Sequence, residues 1–191
     1  MSPPGKGEKP GNPGEPENRR VLAIDPGTIR MGYGVLTADP KPQAEDYGVV
    51  TLPSKMPIEE RLYQLFTHVR NMISIFNPGA VAVEEPFVGK GDRQFIGPAI
   101  AVGQAQALVL ISAAGAGLPV YRYSPAQVKR AITDYGAATK EQMQQVIAAT
   151  LGLKEIPPSD AADALSIGLC HLMQIQANTV LGREITPGRE R

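Results

Sequence analysis

The sequence predicts an α/β domain built on a mixed five-stranded sheet, and three observations carry that prediction. Three strand-like runs open the body of the chain with connections too brief for a helix, which favours antiparallel pairing. Apolar residues then recur at helical spacing. From Val81 onward, short apolar strands alternate with helices, the pattern of βα units with helices on the sheet faces.

The first strand is Val21-Leu22-Ala23-Ile24, apolar throughout and so read as buried. Asp25-Pro26-Gly27-Thr28 is turn chemistry, and residues 32–37 and 47–52 supply two further strands. Residues 57–76 place Ile58, Leu62, Leu65, Phe66, Val69 and Ile73 on one helical face. After the Pro78-Gly79 break, Val81-Ala82-Val83-Glu84 reads as a strand. Residues 97–114 form an apolar helix whose small residues (Gly103, Ala105, Ala107) suit close packing on a sheet. Residues 120–123 make the fifth strand. Ser124-Pro125 is a cap followed by a first-turn proline, opening a helix to about residue 132. Thr139 and Gln142 match a capping box for a helix ending at Leu151, and Pro157-Pro158-Ser159 introduces a last helix from Asp160 to about Gln176.

Length and composition set the frame. At 191 residues the chain fits one domain, and 42% hydrophobic residues suffice for a core. Residues 1–20 are rich in Pro and Gly and carry no large apolar residue after Met1, so they are expected to be a disordered tail. The globular domain is expected over 21–177, with a flexible tail over 178–191. Lys plus Arg and Asp plus Glu both number 19, so any nucleic-acid binding must come from local features. The absence of a long apolar run or a leader segment argues against a membrane span or secretion, and a cytoplasmic protein is expected. The single Cys170 excludes an internal disulfide and a multi-cysteine metal site.

Four acids stand out. Asp25 and Glu84 each close an apolar strand, where an unpaired inward carboxylate is costly. Asp160 and Asp163 share one face of the first turn of the last helix, within an apolar surround of Ala161, Ala162, Ala164 and Leu165. A helix cap and a dipole-matched surface acid account for Asp160 and Asp163 in the plainer reading. If all four converge, their repulsion calls for hard divalent cations such as Mg²⁺ or Mn²⁺, which carboxylates hold without sulfur ligands. Two such ions about 4 Å apart can activate water against a phosphodiester. His171 lies roughly 12 Å along the helix from Asp163, too far to share an ion, and is expected in the packing. Asp25-Pro26-Gly27-Thr28 also fits a phosphate loop of the Asp-x-Gly-Thr kind.

Beside Glu84, the segment Glu85-Pro86-Phe87-Val88-Gly89-Lys90-Gly91-Asp92-Arg93-Gln94 joins an aromatic to Lys90 and Arg93 in a glycine-rich loop, which suits unpaired or distorted nucleic acid. Phe87 serves equally as a core anchor. Lys129, Arg130 and Lys140, near two helix starts, are candidates for phosphate contacts or for a solvated face.

Taken together, these stretches resemble the RuvC family of Holliday-junction resolvases, within the RNase H-like superfamily. The resemblance rests on Ala23-Ile24-Asp25-Pro26-Gly27-Thr28 with Gly32-Tyr33-Gly34-Val35, on Ala82-Val83-Glu84-Glu85-Pro86-Phe87, and on Gly103-Gln104-Ala105. It extends to Ser124-Pro125-Ala126-Gln127-Val128-Lys129 and to Asp160-Ala161-Ala162-Asp163-Ala164-Leu165 with His171, covering about residues 21–175. It implies an RNase H-like fold and a homodimer that cuts four-way DNA junctions by paired symmetric nicks, working beside a branch-migration motor. The family's catalytic metal-binding acids fall on Asp25, Glu84, Asp160 and Asp163, its stacking aromatic on Phe87, and its functional lysines on Lys129 and Lys140. Two Mg²⁺ per subunit are implied, with Mn²⁺ as a substitute. Gln106 departs from the pattern where relatives often carry Arg, which removes an expected phosphate contact. An RNA-directed nuclease of the same superfamily, an actin-like ATPase and a junction-binding protein without activity are the rivals. The Ser159–Asp163 ending, the short chain and the complete set of acids argue against them in turn.

Overall fold

The computed structural model describes residues 20–85, 96–132 and 139–181, and the expected N-terminal tail lies outside them up to Arg19. Its sheet comprises β1 (Val21–Asp25), β2 (Arg30–Ala38), β3 (Pro42–Thr51), β4 (Ala80–Glu84) and β5 (Val120–Tyr123). The order across the sheet is β3-β2-β1-β4-β5. β1 pairs antiparallel with β2 and parallel with β4, β2 pairs antiparallel with β3, and β4 pairs parallel with β5. This is the mixed five-stranded sheet expected of an RNase H-like domain.

Two helical layers cover it. Helices α1 (Ile58–Phe76) and α2 (Ile96–Gly115) lie on one face, where Leu65, Val69 and Val109 meet Leu22, Ile24, Val81 and Val83. Helices α3 (Pro125–Ile132), α4 (Lys140–Leu151) and α5 (Ser159–Leu181) cover the other, where Leu165, Leu169 and Ile147 meet Val21, Ala23 and Ala82. The continuous apolar runs of β1 and β4 follow from this burial on both faces.

The local signals form as expected. Thr139 caps α4 in a reciprocal capping box with Gln142, and Gly152 ends that helix in a left-handed conformation. At α3 the Ser124 hydroxyl accepts from the Gln127 N–H while the Gln127 side chain accepts from the Ser124 N–H. Three boundaries differ from expectation. Arg20 belongs to the domain and not to the tail, because its guanidinium donates to Glu45 at 2.8 Å and to the Phe76 carbonyl at 2.7 Å. β3 starts at Pro42, well before residue 47; an edge strand tolerates the proline and polar residues that conceal it in sequence. Helix α5 runs past Gln176 to Leu181, so the expected tail start at 178 falls inside it, since no Gly or Pro intervenes before Gly182.

One buried polar pair ties α5 to β5. His171, 1% exposed, meets the Tyr123 hydroxyl through Nδ1 at 2.7 Å, with the Tyr121 ring alongside. Burial holds the imidazole neutral by lowering its pKa to about 4. Tyr123→Phe orphans that ring nitrogen, and equilibrium denaturation should show a loss of about 1–3 kcal/mol. Cys170 is buried beside this pair, as a core residue. His68 sits on the exposed side of α1.

Candidate active site

Side-chain alternation decides where the strand acids go. In β1, Leu22 and Ile24 face α1 and α2 while Val21 and Ala23 face α5, so Asp25 is next on the α5 side. In β4, Val81 and Val83 face α1 and α2 while Ala82 faces α5, so Glu84 also falls on the α5 side. Ile24 pairs in register with Val83, which brings Asp25 and Glu84 side by side on adjacent parallel strands. Glu85 takes the opposite side by the same alternation, and its N–H donates to the Tyr123 carbonyl at 2.8 Å.

The helix acids arrive from above. The first turn of α5 crosses β2 so closely that a Cβ at Gly32 would overlap the main-chain carbonyl of Asp160. Gly32 itself pairs with Asp25. A glycine is therefore required where the helix lies on the strand beside the first acid. Farther along, Gly168 allows the same contact, since a Cβ there would strike Leu36 and Ala23.

Electrostatics shows how the carboxylates share this space. Burial raises the Asp25 pKa to about 7, and the charges of Asp163, Glu84 and Asp160 add to the rise. Glu84 is raised by burial and then by Asp163. Asp160 is lowered, chiefly by its hydrogen bond to Arg30. Arg30 Nε and Nη2 both donate to Asp160 Oδ2, at 2.8 and 2.6 Å. Lys140 Nζ lies 3.2 Å from Asp163 Oδ2. Among the described residues no three His, Cys, Asp or Glu side chains already close around a single point. Two of the acids are turned to these cations instead.

A cleft of about 270 Å³ opens at this place, lined by Glu84, Asp163, Lys129, Lys140, Val128 and Met143 among others. The predicted Lys129 and Lys140 are therefore both at its wall. Phe87, Lys90 and Arg93 lie outside the described residues. Gln106 is buried and donates to the Glu84 carbonyl at 3.1 Å, so it braces the strand end that carries the acid and does not face solvent as a phosphate contact would. Arg30 is the residue that sequence reasoning missed. Its only signal is a cation opening the strand that follows the Asp25 turn.

A model of the crossover junction endodeoxyribonuclease RuvC family matches residues 21–171. The chain belongs to that family. A RuvC from Chloroflexus aggregans is 47% identical over 154 residues, covering 80% of this chain and 92% of its own length. The RuvC of Syntrophomonas wolfei is 38% identical over 174 residues, covering 90% and 99%. Among solved structures, Thermus thermophilus RuvC in complex with Holliday junction substrate superposes with a TM-score of 0.73 at 37% identity, covering 84% of this chain and 96% of that one. The yeast mitochondrial Holliday junction resolvase shares the fold, with a TM-score of 0.59 at 14% identity, covering 86% and 83%.

RuvC nucleases depend on divalent metal ions, and the residues here fit such ions. The donors are carboxylate oxygens alone, the set preferred by hard cations. Asp25 is held partly protonated near neutral pH by burial and by its acidic neighbours, and a divalent cation relieves both.

Proposed function

We propose that this chain is a structure-selective endonuclease that resolves four-way DNA junctions by paired symmetric nicks, in recombination and repair. The observation that carries the proposal is that Asp25 and Glu84 stand on adjacent strand ends, near enough to Asp163 of α5 for its charge to raise the pKa of both, in a chain of the RuvC family. Asp25, Glu84, Asp160 and Asp163 would hold two Mg²⁺ ions, with Mn²⁺ able to replace them. Bound there, the ions supply activation of the attacking water and stabilisation of the leaving oxygen.

The protein's own residues do the rest. Asp25 and Glu84 stand on strand ends held by the sheet register, so the backbone that carries them is rigid. Lys129 and Lys140, at the cleft wall, neutralise and orient the DNA backbone. Phe87 stacks on a base exposed at the crossover, and Lys90 and Arg93 hold adjacent phosphates. Paired nicks require two copies, so the working form is a homodimer. Tyr63 and Ile75 on α1 and Ile100 and Ile111 on α2 are exposed apolar side chains that supply surface for self-association. A cytoplasmic location beside a branch-migration motor completes the proposal; among the described residues no helix is long and apolar enough to cross a membrane.

The test is a nicking assay on a synthetic four-way junction, with a linear duplex and an RNA–DNA hybrid of matching sequence beside it. Symmetric nicks confined to the junction support the proposal. Preferential cutting of the hybrid would replace the substrate, and junction binding without cutting would reduce the protein to a binding role.

A further inference from the structure

We infer that Arg30 is an internal counter-ion that releases Asp160 when a divalent ion arrives and moves to the DNA backbone beside the cut. The inference rests on the proposed nuclease site and adds a residue that exchanges its partner there.

Three observations support it. First, Arg30 gives both Nε and Nη2 to a single oxygen of Asp160, so it holds that carboxylate by charge and direction together. Second, Asp160 does not line the cleft that Glu84, Asp163, Lys129 and Lys140 share, and its carboxylate is turned to Arg30 instead. The helix acid held by Arg30 thus stands apart from the acids it would need to join around an ion. Third, the Arg30 side chain is 51% exposed while its carboxylate partner is 27% exposed. A guanidinium with half its surface in water can swing outward without unpacking the fold, because its hydrogen bonds among the described residues are those to Asp160.

The chemistry follows from charge balance. A divalent ion placed among Asp25, Glu84 and Asp163 attracts Asp160 and repels Arg30. The freed guanidinium then stands at the rim of an anion-binding site, where a phosphate oxygen can accept from Nε and Nη2 as Asp160 Oδ2 did. Metal and DNA backbone would then favour each other, since each removes the competitor of the other. Lys140 on Asp163 is a second such pair, but its role is already part of the proposed machinery. Arg30 is not.

The experiment compares the wild-type chain with Arg30→Gln, after thermal melts have confirmed that both are folded. Calorimetric titration of the DNA-free protein with Mn²⁺ reads the first half. Arg30→Gln should bind Mn²⁺ roughly fivefold tighter or more, because the competing cation is gone. Equal or weaker Mn²⁺ binding overturns the inference, and so does a wild-type chain that takes up no Mn²⁺. The second half is the salt dependence of four-way junction binding with Ca²⁺ in place of Mg²⁺. There the slope of log affinity against log salt should be smaller by about one in Arg30→Gln, the loss of one phosphate contact. An unchanged slope in Ca²⁺ overturns the move to the backbone, and an equal change in EDTA shows a contact that does not depend on metal and overturns the exchange. If Arg30→Gln fails to fold, Arg30→Ala is measured in its place by the same criteria. The metal titration contains no DNA, so its outcome stands apart from whether the protein cuts junctions.

Discussion

Asp25→Asn should abolish junction cutting, by roughly a thousandfold or more, while junction binding is retained. An amide at this position keeps the volume and removes the charge, so the sheet is undisturbed and the proposed metal site loses a carboxylate. A nicking assay run beside a gel-shift assay reads both halves. The same variant carries a stability signature of opposite sign. In metal-free protein the Asp25 pKa is raised from 3.8 to about 7, so the folded state binds a proton that the unfolded state has already lost in between. Stability linked to this group is therefore fully present below about pH 4 and is lost as pH rises through about 7, by an amount of order 4 kcal/mol. Asparagine has no such dependence. Thermal melts in EDTA should show Asp25→Asn gaining on the wild type between pH 5 and pH 8. Adding Mg²⁺ should reverse the order, because metal binding stabilises only the chain that retains the carboxylate. Parallel melting curves at every pH would show that Asp25 is neither buried nor held among the other acids.

Gly32→Ala should be nearly as damaging, by a different route. The added Cβ would overlap the Asp160 carbonyl, which is backbone and cannot rotate aside. The first turn of α5 must lift off β2, at a cost of about 1–3 kcal/mol. Because Gly32 is the register partner of Asp25, the displacement acts between the strand acid and the helix acids. A shift of about 1 Å there costs on the order of a hundredfold in rate. Gly103→Ala is the matched control. Among the described residues a Cβ at Gly103 meets nothing within 4 Å, and the residue lies within α2, so the change should leave cutting intact and raise stability slightly. Nicking rates and melting temperatures of the two variants make the comparison. Equal behaviour would show that the close approach of α5 to β2 does not govern the site.

The two strand acids were legible in the sequence because period-two alternation is strict in a sheet buried on both faces. Once the runs ending at Asp25 and Glu84 are read as strands, the side on which each acid falls is fixed, and only their adjacency awaits the register. The helix acids were legible as a pair from their spacing, but their distance from the strands depends on how closely α5 can approach. That depends on Gly32 and Gly168, whose meaning appears only when the facing backbone is known. Arg30 was illegible because its partner lies 130 residues away and the pairing follows from tertiary contact alone. The bracing role of Gln106 was illegible for a related reason: an uncharged side chain on an apolar helix gives no sign of facing a strand-end carbonyl. The limits of β3 and α5 were blurred where polar residues hid regular backbone.

Whether Asp25, Glu84, Asp160 and Asp163 form one metal site is decided by anomalous diffraction from crystals grown at pH 8 with Mn²⁺. Strong peaks are expected between the ends of β1 and β4 and the first turn of α5, with Asp25 and Glu84 as ligands. Mn²⁺ bound elsewhere, with these four carboxylates left to Arg30, Lys140 and water, would contradict a single site.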